Sequence, residues 1–282
     1  METCEKKAGT TEIKKYFDFR DFGNLDKSED VAYLIDSMDR MFTLDTIRAI
    51  KQRAINLLKL KQGDKVIEVG CGLGHDSESI GEIVGSNGSV VAIDSSVCML
   101  KEAKKRSLHP QVDYQLSNAT NLDFSNNSFS AGYADRMLVS QSNVKKVFSE
   151  LVRVVKPGGR ICVTDIDLGS VVMYPYIDKI TQKLIERLQE IVLNKFIGRE
   201  LPYLFKSFNL KDIKVYPEAY IVRSFELVNT MIDFPRMIKD LKDIGRYTDE
   251  EASTLHNCLV SADKQGDFLY AITLFTVVGI KT

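Results

Sequence analysis

Apolar and polar positions alternate along this chain with two different periods. Short apolar runs at Val66 to Val69, Val90 to Ile93, Val112 to Leu116, Ser128 to Asp135 and Ile161 to Ile166 have the length of strands. The most apolar of them suit strands buried on both faces of a parallel sheet. Between them the period lengthens to that of helices, at Ser77 to Val84, Ser96 to Lys105 and Asn143 to Val155. Upstream, Ser28 to Arg40 and Asp45 to Leu58 are amphipathic, and in the second Ile47, Ile50, Ala54, Leu57 and Leu58 share one face. Downstream, Val171 to Phe196 has a helical period, and Lys214 to Val222 and Leu269 to Gly279 suit strands with a helical insertion, about Glu226 to Ala262, between them. Strands alternating with helices predict an α/β fold around a largely parallel sheet. Lys156-Pro157-Gly158-Gly159 marks the turn into the fifth strand.

Composition narrows the class. A chain of 282 residues suits one large domain, or one domain with a sizeable insertion. Basic and acidic residues number 38 and 39, for a net charge of −1, and no block of like charge is present. That balance argues against a nucleic-acid partner, whose affinity rests on cations neutralising phosphates. Cys4, Cys71, Cys98, Cys162 and Cys258 are scattered, which suits reduced thiols in a cytoplasmic protein and neither a disulfide framework nor a metal site. The charged N-terminus is no signal peptide, and no apolar run is long enough for membrane insertion.

Candidate chemistry concentrates between Lys65 and Asp94. Gly70, Gly72 and Gly74 follow the first strand and let the backbone turn and approach a ligand without a Cβ in the way. Asp94 ends the next strand, where a carboxylate can accept both hydroxyls of a ribose. A dinucleotide site wants Gly-x-Gly-x-x-Gly, but here the third glycine comes one residue early and His75 stands in its place. Glu68, inside the first strand, would repel a pyrophosphate and suits a ligand with an ammonium group. A Rossmann dehydrogenase is thereby disfavoured.

This Glu-x-Gly-x-Gly-x-Gly pattern with its second acid resembles the class I S-adenosylmethionine-dependent methyltransferases, over at least Lys65 to Asp167 and more weakly beyond. The resemblance implies a Rossmann-like seven-stranded methyltransferase sheet, mostly parallel with the last strand antiparallel, helices on both faces and a helical cap insertion. It implies an N-terminal helical segment, residues 1–60, beside the cofactor pocket, and a methyltransferase domain, residues 61–282, whose lid is the 226–262 insertion. The cofactor implied is S-adenosyl-L-methionine, held by Glu68, Gly70, Cys71, Gly72, Gly74, Asp94, Ser95, Met99, Asn118, Ala119, Asp135 and Arg136. Asn118 replaces the usual Asp of the adenine loop, and its amide oxygen can accept from the adenine amino group. The N-terminal helices, with the aromatics of Tyr16 to Phe22, either pack on the sheet edge or touch the ligand.

The catalytic residues stay open. Asp135, Arg136, Asp165 and Asp167 stand at carboxyl ends of strands, where open α/β sheets bind ligands, with helix capping or ion pairing as the alternative for each. His256, in the insertion, is a further candidate, and Arg199 could anchor an acidic group or pair with a neighbouring helix. The motifs of DNA amino-methylating and cytosine C5 enzymes are absent, so a nucleobase acceptor is disfavoured. The expectation is methyl transfer to a small molecule, a quinone-like or polyketide-like aromatic by family analogy. The rival is a catalytically silent S-adenosylmethionine-binding partner protein. Oligomeric state is not legible.

Overall fold

Two helices, α1 (Val31–Thr43) and α2 (Asp45–Leu57), precede the sheet in a computed structural model that describes Asp26 and residues 31–282. Cys4, the Tyr16 to Phe22 cluster and the first residues of the first amphipathic stretch lie outside the described residues. Then follow β1 (Lys65–Val69), α3 (His75–Val84), β2 (Ser89–Asp94), α4 (Val97–Arg106), β3 (Val112–Leu116), β4 (Phe129–Asp135) and α5 (Val144–Val154). The second half comprises β5 (Val155–Tyr174), α6 (Asp178–Glu190), α7 (Ile197–Ser207), β6 (Lys211–Val222), α8 (Phe225–Ile232), α9 (Phe234–Asp243), α10 (Asp249–Gln265) and β7 (Leu269–Ile280).

The strands form one sheet in the order β3-β2-β1-β4-β5-β7-β6. The pairings from β3 through β5 are parallel, and β7 runs antiparallel to both β5 and β6. Alternate strand residues feed two cores, as the two-residue strand period requires. Ile67, Ile93, Ala134 and Val163 pack with α5 and α7, while Val66, Ala92, Tyr133 and Cys162 pack with α2, α3 and α4. Strand order reverses between β1 and β4, which opens a crevice at the carboxyl ends of these strands.

Local signals place the helix starts. Ser96 accepts from the Met99 N–H at 3.1 Å, Asn143 from Lys146 at 3.0 Å, and Thr248 forms a capping box with Glu251. Three readings change. The helical period from Val171 loses to pairing: β5 returns to β7 through Val172↔Ala271, Met173↔Tyr270 and Tyr174↔Leu269, and α6 begins only at Asp178. The long β7 offers a ladder that local periodicity cannot foresee. The Lys-Pro-Gly-Gly turn lies within β5, where the Gly158 N–H donates to the Lys281 carbonyl at 2.8 Å. Cys71, Cys162 and Cys258 are free, but Cys98 is disulfide-bonded, which corrects the reading of all five as reduced thiols. Pairing depends on distance in space, which scattered spacing does not report.

Candidate functional site

A cavity of about 770 Å³ fills the crevice above β1, β2 and β4. Its floor is the turn after β1. Gly70 and Gly72 have φ of +80° and +51°, so a side chain there would be strained, and a Cβ would meet Met137 at 2.8 Å and Met38 at 2.6 Å respectively. Gly74 does not line the cavity: its absent Cβ makes room for Tyr114, whose hydroxyl would otherwise stand 2.3 Å away.

Two acids flank this turn. Glu68 is 2% exposed and accepts from the Ser77 hydroxyl; burial, reinforced by Asp76, pushes its carboxyl well above the usual range. Asp94 accepts the Gly72 N–H on one oxygen and the Ser96 N–H on the other, each at 2.9 Å. A carboxylate offers about four acceptor sites in all, so these donors leave capacity for a diol. Burial raises the Asp94 carboxyl, and these backbone donors pull it back only in part. Ser95 and Met99 stand beside it on the cavity wall.

At the rim, Asn118 and Ala119 line the cavity, but Asn118 is committed elsewhere. Its side-chain oxygen accepts from the Thr120 N–H at 2.9 Å and the Thr120 hydroxyl at 2.8 Å. Both lone pairs are spent inside the loop, as in an Asx turn. The free acceptor expected from sequence is therefore taken, and the amide N–H₂ remains.

The innermost wall is charged. Lys51 Nζ stands 2.5 Å from Asp76 Oδ2 and 2.6 Å from Asp135 Oδ2. Arg136 Nη2 reaches Asp135 at 2.9 Å, and Nη1 contacts the Met41 sulfur. Burial raises the Asp135 carboxyl, yet Arg136 and Lys51 outweigh it and hold it below the ordinary value. Arg136 has φ of +50°, a left-handed conformation uncommon for a bulky residue.

The far wall is apolar: Leu168, Leu188, Val192, Tyr220, Met231 and Tyr270 come from β5, α6, the turn after it, β6, α8 and β7. Burial raises the Tyr220 phenol, with Arg136 drawing it partly back. Over the top, α1 contributes Leu34, Met38, Met41 and Phe42. Phe42 stacks on His75 at 4.1 Å, and the Tyr33 hydroxyl donates to the Asn229 carbonyl of α8 at 3.4 Å.

The fold thus gathers Glu68, Gly70, Cys71, Gly72, Asp94, Ser95, Met99, Asn118, Ala119, Asp135 and Arg136 around one cavity. Asp165 and His256 are not among its walls. Asp165 is fully buried and accepts the N–H groups of Val139 and Ile166 at 3.2 and 2.9 Å, and burial pushes its carboxyl up to about 7. His256 meets Phe225 edge-on at 6.3 Å in the helical insertion. Asp167 pairs with Arg199 at 2.7 Å, the ion-pair alternative for both. Lys51 and Asp76 escaped the sequence reading. A lysine within the Ile47, Ile50, Ala54 stripe, and an acid directly after the glycine turn, were their signals.

The model of the ubiE/COQ5 methyltransferase family matches residues 26–217. A 37.1 kDa protein of transposon TN4556 from Streptomyces fradiae is 27% identical over 256 residues, covering 90% of this chain and 72% of its own length. A demethylmenaquinone methyltransferase of Paenarthrobacter aurescens is 32% identical over 137 residues, 49% of this chain and 52% of its own. The YcgJ protein from Bacillus subtilis has the same fold, with a TM-score of 0.60 over 82% of this chain and 97% of that one, at 17% identity.

Proposed function

The chain belongs to the ubiE/COQ5 methyltransferase family, and from that premise we propose that it transfers a methyl group from S-adenosylmethionine to a quinone-like ring compound. It is an S-adenosylmethionine-dependent methyltransferase acting on a small molecule; the acceptor class and the residue roles are our reading.

The residues fit the cofactor. The turn at Gly70 and Gly72 lines the cavity, so a ligand can lie against its backbone, and the Asp94 carboxylate has acceptor sites to spare for ribose hydroxyls. Met99 and Ala119 offer apolar contact to the adenine, and Glu68 suits the ammonium end. When bound, the cofactor supplies a methyl group activated on a sulfonium sulfur. The rest is positioning: two reactants held in line within one cavity can account for about 7–11 kcal/mol of the barrier.

One observation carries the acceptor assignment: the charged end and the apolar end are parts of a single cavity, lined by Arg136 at one end and Tyr220 at the other. An acceptor that is mostly apolar ring, with an oxygen for the guanidinium, satisfies both ends. A ring hydroxyl beside Arg136 loses its proton more readily, which makes the ring a better nucleophile. Among the catalytic candidates we therefore assign Arg136 to the acceptor and Asp135 to holding it, and give Asp165 and His256 no chemical role. We assign α1 and α2, the described part of the N-terminal segment, to the cofactor side and the 226–262 insertion to a lid, with the Tyr33–Asn229 contact linking the two.

The test is methyl transfer from radiolabelled S-adenosylmethionine to chemically reduced 1,4-naphthoquinone. Label should enter the naphthoquinol. Cofactor binding without transfer to naphthoquinols or benzoquinols would sink the acceptor class and leave the cofactor assignment standing.

A further inference from the structure

Two cations among the described residues, Lys51 and Arg136, line the cavity, and they have different neighbours. Arg136 lies between Asp135 and the Met41 sulfur of α1, in the cavity that Tyr220 also lines. Lys51 lies among Asp76, Asp135 and Glu68, next to the glycine turn. It rises from the buried stripe of α2, between Ile47, Ile50 and Ala54, where an ammonium is costly unless paired.

The pairing leaves something over. An ammonium carries three N–H groups, and among the described residues Lys51 donates to Asp76 and Asp135 only. Its side chain is 11% exposed, and that exposure is to the cavity it lines. Two carboxylates thus keep the ammonium charged and fixed in direction, with one donor uncommitted. Burial lowers its proton affinity, but Asp135 and Asp76 more than compensate. Lys51 and Arg136 balance Asp76 and Asp135 in charge, so this end can receive a ligand that sets an ammonium against Glu68 and an anion against the uncommitted Lys51 donor. An amino-acid group is such a ligand: its ammonium has Glu68, and its carboxylate needs a cation on the same side.

We propose that Lys51 anchors the carboxylate of the amino-acid end of S-adenosylmethionine, so that α2, an element outside the sheet, forms part of the cofactor site. The assignment rests on the cavity being the cofactor site. It separates the two cations by task, Lys51 for the cofactor and Arg136 for the acceptor.

Calorimetry with two ligands tests it without any acceptor: S-adenosylhomocysteine, and its decarboxylated counterpart, which keeps the amine and lacks the carboxylate. The wild-type protein should prefer S-adenosylhomocysteine by about tenfold or more, the worth of a charge-assisted bond. The double variant Lys51→Met/Asp76→Asn removes one charge of each sign. It should lose most of this preference while binding the decarboxylated ligand within about threefold of wild type. Arg136→Met should keep the preference. Equal wild-type affinities overturn the anchor alone, whereas no binding of either ligand overturns the cofactor site and the anchor with it. A folded double variant that keeps the preference, or that loses both ligands equally, also overturns the anchor. If the double variant does not fold, Arg136→Met decides: loss of the preference there would make Arg136 the anchor and refute the proposal.

Discussion

The two ends of the cavity are made of opposite materials. The charged end is built mainly from the turns after β1, β2 and β4, where Gly70, Gly72, Asp94 and Asp135 follow or end strands. Lys51 of α2 and Asp76 of α3 complete its paired charges. The apolar end is assembled from pieces far apart in the chain, from Leu168 to Tyr270, and contains few groups able to make a directional bond. A charged or polar ligand group needs exact partners, so that end tolerates little change. An apolar ring needs volume and exclusion of water, which many side chains can supply. One end should therefore be read through single residues, the other through shape.

The largest expected effect tests the first half of this contrast. Asp94→Ala removes two hydrogen bonds to a charged acceptor, so S-adenosylhomocysteine affinity should fall about a hundredfold, or about 3 kcal/mol, with the fold retained. Calorimetry and a thermal melt would check both, and an undiminished affinity would break the comparison at its firmest point.

Next comes the wall shared by the two ends. Asp165 holds Val139 on that wall, and its folded-state pKa of about 7 lies above its ordinary value of 3.8. The folded protein then binds a proton that the unfolded chain has released, so this group favours folding at low pH and the advantage is lost as pH rises toward 7. Urea unfolding should show Asp165 contributing about 2 kcal/mol more at about pH 5 than at about pH 7. Glu68 is raised in the same direction, while His75 is lowered by burial and works the opposite way. The difference between wild type and Asp165→Asn isolates the one group. A slope unchanged by that substitution would refute the assignment.

A smaller effect probes the apolar end. Leu193 lines the cavity yet is 43% exposed, so Leu193→Asp should cost little stability. It should raise KM for a naphthoquinol about fivefold and leave S-adenosylhomocysteine affinity within about twofold, the pattern of lost apolar contact. Equal losses of both would erase the division between the ends.

The smallest effect concerns Asn118. Because its oxygen serves Thr120, Asn118→Asp preserves the loop and should shift cofactor affinity by less than about 1 kcal/mol. Asn118→Leu opens the turn and should weaken binding more. Identical affinities for Asn118, Asp and Leu would mean the loop does not depend on that side chain.

Much of the charged end could be read before any coordinates. Glycines that need positive φ, an acid at a strand end, and serine or asparagine at a helix start act on their immediate neighbours, so adjacent residues announce them. Asp165 and His256 carried the right chemistry for a site but lie off its walls, because strand position and helix membership do not fix the direction of a side chain.

The amino-acid sequence by itself determined the cores of most sheet strands, the glycine turn after β1 and the placing of Asp94, since these follow from backbone sterics and hydrogen bonds over a few residues. Only the tertiary structure decided that Lys51 meets Asp76 and Asp135, residues 25 and 84 positions away. It alone decided that β5 returns to β7 where the local period suggested a helix, and that α1 meets α8 over the cavity. The physical reason is common to all three. Each contact forms only when distant segments have been brought together by burial of the two cores, and a burial force that is non-directional leaves no local mark of its partner in the sequence.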